Sequence, residues 1–150
     1  MSSRADMVAV DAAGGSILVV EAKDRLRVSA AWAAKLRRNL IAHGVVGMAK
    51  YFLLATPDRF FLWKNAADDL SEVPPTYEID PSDLLAPYFT AAGITPETVS
   101  GHSFELIVGA WLRDLLASDT LPNEIHQKHP WLSALLDDLK GGHVAYEAVA

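Results

Sequence analysis

Hydrophobic and polar positions alternate in two runs near the start of the chain. Residues 5–11, "ADMVAVD", and 16–23, "SILVVEAK", read as strands, with "AAGG" at 12–15 as the turn of a β-hairpin. The period then changes. In residues 28–43, "VSAAWAAKLRRNLIAH", Val28, Trp32, Leu36 and Leu40 recur every four positions. That spacing predicts a helix ending at Gly44, with Lys35, Arg37 and Arg38 turned outward. A second hairpin is expected in residues 50–64, "KYFLLATPDRFFLWK", turning at Pro57-Asp58. Residues 65–80, "NAADDLSEVPPTYEID", lose the alternation and carry two prolines, as a surface connection does.

The rest of the chain patterns as helices. Asp80-Pro81 is a helix start, and Pro87 is expected to kink or end that segment early. Thr95-Pro96-Glu97 repeats the start signal, and Ser103 is placed to cap "FELIVGAWLRDLLAS", where Phe104, Ile107, Val108, Trp111 and Leu115 share a face. A further helix, "HPWLSALLDDLK", stops at Gly141-Gly142, and "HVAYEAVA" alternates like a last strand. The fold class expected is α/β, with a mixed sheet and a mostly helical C-terminal half. Residues 1–65 form its core and 66–150 an extension within one domain.

Composition narrows the function classes. A chain of 150 residues, 51% hydrophobic and 21% charged, is ordinary for one globular domain and excludes disorder. No apolar run reaches the roughly 18–20 residues that span a bilayer, so no membrane partner is expected. "MSSRADMVAVDAAGG" has no apolar signal segment, and the absence of cysteine removes disulfides, thiolate catalysis and Cys-type zinc sites. Both suit a cytoplasmic protein. The net charge of −6 is uneven: 10 Lys/Arg against 8 Asp/Glu in residues 1–75, and 3 against 11 in residues 76–150. Any nucleic-acid contact is therefore expected on the first half.

The chemistry lies in the first hairpin. A symmetric turn pairs residues whose numbers sum to 27, setting Asp6 opposite Glu21 with Cβ atoms about 4.5–5.5 Å apart. Lys23, two residues after Glu21, leaves the strand on the same face. Two carboxylates so close need a positive charge between them, which Lys23 or a divalent metal supplies. Oxygen-only ligands suit Mg²⁺ or Mn²⁺. Asp11, beside the turn, is the rival acidic ligand. His126 and His129 in "EIHQKHP" have i, i+3 spacing but read as a surface loop, and His43 suits a helix C-terminus.

These residues, "RAD…VVEAK", resemble the PD-(D/E)xK nuclease superfamily, and especially the nuclease domain of type I restriction enzyme motor subunits. The resemblance covers about residues 4–64. It implies a restriction-endonuclease-like sheet with flanking helices and metal-dependent hydrolysis of DNA, in restriction or defence. It also implies metal ligation by Asp6, Glu21 and the Ala22 carbonyl, and water activation by Lys23. Arg25, Arg27, Lys35 and Arg38 are the expected phosphate contacts. There are departures. Ala5 stands where the motif's proline would be. Family members usually begin with a helix that often contributes a further Glu, followed by a first strand, and only five residues precede Asp6. The helix at 28–43 lacks the family's Gln and Tyr, for which Lys35 and Asn39 can stand in. The alternative function is a catalytically inactive nuclease fold that binds nucleic acid or protein. An unpaired 5–11 edge needs a cover: residues 143–149, or a second copy or partner protein.

Overall fold

The computed structural model describes residues 6–44, 49–65, 72–118 and 121–146. Both expected hairpins form, around a βαβ unit. β1 (Met7–Val10) and β2 (Ser16–Ala22) are antiparallel; α1 (Ala30–Ala42) then leads to β3 (Tyr51–Thr56), parallel to β2, and β4 (Arg59–Lys64) returns antiparallel. Within 65–80, where a plain connection was expected, Tyr77–Ile79 form β5 against β4; residues 66–71 lie outside the described part. At the far end, β6 (His143–Tyr146) pairs antiparallel with β1, Met7 opposite Tyr146 and Val10 opposite His143. The result is a six-stranded mixed sheet in the order β5-β4-β3-β2-β1-β6. The chain's own last strand covers the β1 edge, as the alternation of "HVAYEAVA" suggested; residues 147–149 fall outside the described part.

The alternation of side chains divides the sheet's two faces. Met7, Ala9, Leu18, Val20, Ala22, Leu53 and Leu62 look toward α2 (Ser82–Ala92), α3 (Gly101–Ala117) and α5 (Pro130–Asp138), which follows the short α4 (Asn123–Lys128). Val19, Phe52, Leu54, Phe61 and Trp63 look toward α1. Helices thus cover both faces of the sheet. The expected stripe on α3 is buried in full, Phe104 through Leu115. Of the four tryptophans, Trp63, Trp111 and Trp131 are buried and Trp32 is half-buried.

Several expectations fail for local reasons. α1 docks on its small residues: Ala33 and Ala34 let the helix approach the sheet closely, and Val28, Trp32, Leu36 and Leu40 flank that contact only partly buried. Arg37 is on the docked face. It is therefore buried at 2% exposure, not turned outward, with its guanidinium 5.6 Å from the Trp63 ring centroid. Gly44, at φ +74°, ends the helix as expected, since a left-handed residue there is cheap only for glycine.

The first turn is not symmetric, because a bulge after Ala9 moves Val10 opposite Ser16. α2 runs through Pro87 to Ala92, the proline lying on its exposed side. Thr95-Pro96-Glu97 forms a turn instead of a helix. α3 starts later, capped by Ser100, whose hydroxyl accepts from the Ser103 N–H at 3.2 Å, so Ser103 is not the cap. "EIHQKHP" is mostly helical, as α4, and is not a loop. His129 at its end is buried and bonds Asp83 of α2 at 2.9 Å, while His126 turns to Ser133.

Candidate active site

The first hairpin keeps the register that sums to 27 over Met7–Val20, Val8–Val19 and Ala9–Leu18. Asp6, one step beyond β1, continues that register toward Glu21. Its Oδ2 accepts from the Ala22 N–H at 2.7 Å, which fixes the carboxylate at the end of β2. Lys23 leaves the sheet at the same end, where its N–H bonds the Ala55 carbonyl of β3 at 2.9 Å. Its Nζ sits 3.3 Å from Glu21 Oε1, the lysine side chain 40% exposed and the glutamate side chain 6%. Asp6, Glu21 and Lys23 are therefore together. The group of Ala22 tied to the cluster is its N–H.

A fourth group, absent from the sequence reading, joins them. Glu105, in the second turn of α3, makes a side-chain hydrogen bond with Asp6. Two carboxyls can share such a bond only through a proton. That bond, then burial, then the charges of Asp6 and Glu21 push the Glu105 carboxyl up to about 7, against the pull of Lys23. Burial also raises the Glu21 carboxyl, the Asp6 charge adds to the effect, and Lys23 opposes it. Glu21 Oε2 is buried with no hydrogen-bond partner. The Asp24 carboxylate lies beside the start of α3: a Cβ added at Gly101, in the first turn, would stand 3.7 Å from it. An anion at that end of a helix is favoured by the backbone dipoles. Nothing in the local pattern of "SFELIVG" marks Glu105, because its role depends on which helix docks over β1.

Other candidates have local duties. Asp11 Oδ1 accepts from the Ala13 and Gly15 N–H groups at 3.1 and 2.8 Å, so it holds the hairpin turn. His43 Nδ1 meets the Asn39 carbonyl at 2.7 Å at the end of α1, and Asn39 Oδ1 accepts from Arg38 Nη2 at 3.3 Å. Among the described residues, no hydrogen bond or ion pair joins Lys35, Arg38 or Asn39 to the carboxylates. Arg25 lies over the Trp32 ring at 5.6 Å, and Arg27, at φ 54°, gives its backbone N–H to Asp58 Oδ2 at 3.1 Å. Both follow Lys23 on the same segment and are exposed.

Among the described residues, no three His, Asp or Glu side chains are arranged as a ready-made metal cage. Comparison of the chain with protein-family models, curated proteins and solved structures found no match.

Proposed function

We propose that this chain is a metal-dependent nuclease that hydrolyses DNA phosphodiester bonds, on a restriction-endonuclease-like sheet of the PD-(D/E)xK kind. The observation that carries the reading is the meeting of Asp6, Glu21, Lys23 and Glu105 at one end of the sheet, with Glu21 Oε2 buried and unpartnered. The cluster lies at the carboxyl ends of the parallel strands β2 and β3, where open α/β sheets bind their ligands. Glu105 brings a helical carboxyl to the cluster from α3, whereas the family's further Glu comes from a helix that precedes the first strand.

The donor chemistry suits a hard cation, although the three carboxylates do not stand as a preformed cage and would have to close around the ion. Asp6, Glu21 and Glu105 offer only oxygen, and the proton shared by Asp6 and Glu105 is the one a divalent ion would displace. Mg²⁺ or Mn²⁺ held there would supply positive charge for the phosphorane-like transition state and acidify a water. The chain's own residues do the positioning. Hydrolysis adds water across one P–O bond, the attacking oxygen losing a proton and the leaving oxygen gaining one. Lys23 Nζ, half-exposed beside Glu21, is placed to orient that water and offset charge on the phosphate oxygens. Arg25 and Arg27 follow it at positions suited to the flanking phosphates.

Lys23→Ala tests the reading. Cleavage with Mg²⁺ is expected to fall by about 10²-fold or more. DNA binding should change little, since one charge among several contacts is a minor loss. Cleavage by the variant at the wild-type rate would leave Lys23 a structural ion-pair partner and overturn the mechanism.

A further inference from the structure

A cavity of about 470 Å³ opens on the segment that follows Lys23. One wall is Leu26 and Arg27, three and four residues beyond the lysine. Another is the β3–β4 turn, Pro57 and Asp58, just past the Ala55 carbonyl that Lys23 bonds. The opposite wall is α2 and the loop after it. Leu26 is at most about 10 Å of extended chain from Lys23, the span of a few nucleotides along one strand. The volume falls in the range of small-molecule pockets, about 300–1,000 Å³. It cannot take a stretch of duplex.

The lining says what would fit. Leu85 and Phe89 give an apolar floor, and Phe89 is held in place by stacking on Phe104, centroids 6.4 Å apart. Ser82, Ala86 and Thr90, one turn apart along α2, form its exposed rim, so hydroxyls border the apolar surface. Arg27 provides the guanidinium, while Asp58 and Glu97 on the same walls disfavour a site for phosphates alone. A flat, uncharged, edge-polar group beside one phosphate satisfies all of these features. We infer that this cavity seats one unpaired nucleobase of the strand being cut, with Arg27 on its flanking phosphate. The substrate is then single-stranded or locally opened nucleic acid instead of continuous duplex. The apolar floor supplies binding that the single guanidinium of the lining does not. The inference rests on the nuclease reading for its strand, but its test does not depend on hydrolysis.

The test uses single-stranded and duplex oligonucleotides of one sequence carrying 2-aminopurine, with Ca²⁺ in place of Mg²⁺. Wild type should bind the single strand more tightly and change its fluorescence. Ala86→Trp and Thr90→Trp, which fill the cavity from exposed positions, should weaken that binding by roughly ten-fold, as expected for the loss of one seated base. Wild-type melting temperatures would show that both variants fold. Equal affinity in wild type and both variants, or no fluorescence response, would overturn the inference. Mg²⁺ cleavage of the same oligonucleotides separates the two readings. A strand seated but never cut removes the hydrolytic one and leaves the pocket. Equal cutting of the strand by wild type and both variants removes the pocket and leaves hydrolysis.

Discussion

Glu105→Gln changes one atom in the cluster and removes a titration from it. In the folded chain the Glu105 carboxyl is pushed up to about 7 from an ordinary value of 4.5. The folded state therefore holds this proton more tightly than the unfolded state does. Its contribution to stability is complete below about pH 4.5 and is lost as pH rises through 7. At about 1.4 kcal/mol per pH unit the window bounds the effect near 3 kcal/mol, and solvent screening at this partly exposed site reduces it to about 1–2 kcal/mol. Glutamine can donate its amide N–H to Asp6 as the protonated acid does, but it never ionises. The variant should match wild type at pH 4.5 and become the more stable of the two toward pH 8. At 2–4 °C per kcal/mol for a chain of this size, the melting temperatures should separate by about 2–8 °C. The assay is thermal unfolding by circular dichroism at half-unit pH steps, without divalent ions. Titrations remote from the cluster cancel in the difference, whereas Glu21, whose charge acts on Glu105, contributes to it. Parallel profiles across pH 4.5–8 would refute the shared proton and, with it, the docking of Glu105 on Asp6.

Metal should raise the melting temperature of wild type by mass action, because the unfolded chain has no preformed site. Glu21→Gln is expected to abolish that rise when Mg²⁺ is titrated against both proteins, and an equal response in the two would remove Glu21 as a ligand. Gly142→Ala should be severely destabilising, because a Cβ at that position would overlap the Val10 carbonyl oxygen, backbone that cannot move aside without displacing β6. Losing that strand's pairing with β1 should cost about 2–4 kcal/mol, whereas Gly14→Ala, with open space around it, should cost only the left-handed strain of about 1–2 kcal/mol. Urea denaturation of the two variants side by side checks the order. Equal losses would mean that β6 does not pack as described.

The hairpins and the helix between them could be read from the chain because their periods are strict and their partners are close in sequence. Asp6 and Glu21 met for the same reason: a short turn leaves few registers, and the bulge after Ala9 falls on the turn side of the pairs that matter. Closure by β6 was legible in outline, since an alternating strand at 143–150 and an open edge at 5–11 needed each other. β5 was not, because three residues are too few to show alternation. Arg37 was misread because helical spacing identifies an apolar stripe without saying which face docks; Ala33 and Ala34 decided that by allowing a closer approach. Glu105 was out of reach for a deeper reason. Its hydrogen bond to Asp6 spans 99 positions of chain, and only the packing of α3 against β2 and β6 brings the two together.

On the proposed reading, this carboxylate and lysine cluster cuts a phosphodiester bond with a divalent ion. An end-labelled DNA strand incubated with the purified protein, in Mg²⁺ or in chelator, tests it most directly when wild type and Asp6→Asn are run together. Product is expected only from wild type and only with Mg²⁺. No product from folded wild type under any condition, or equal product with chelator or from Asp6→Asn, would contradict it.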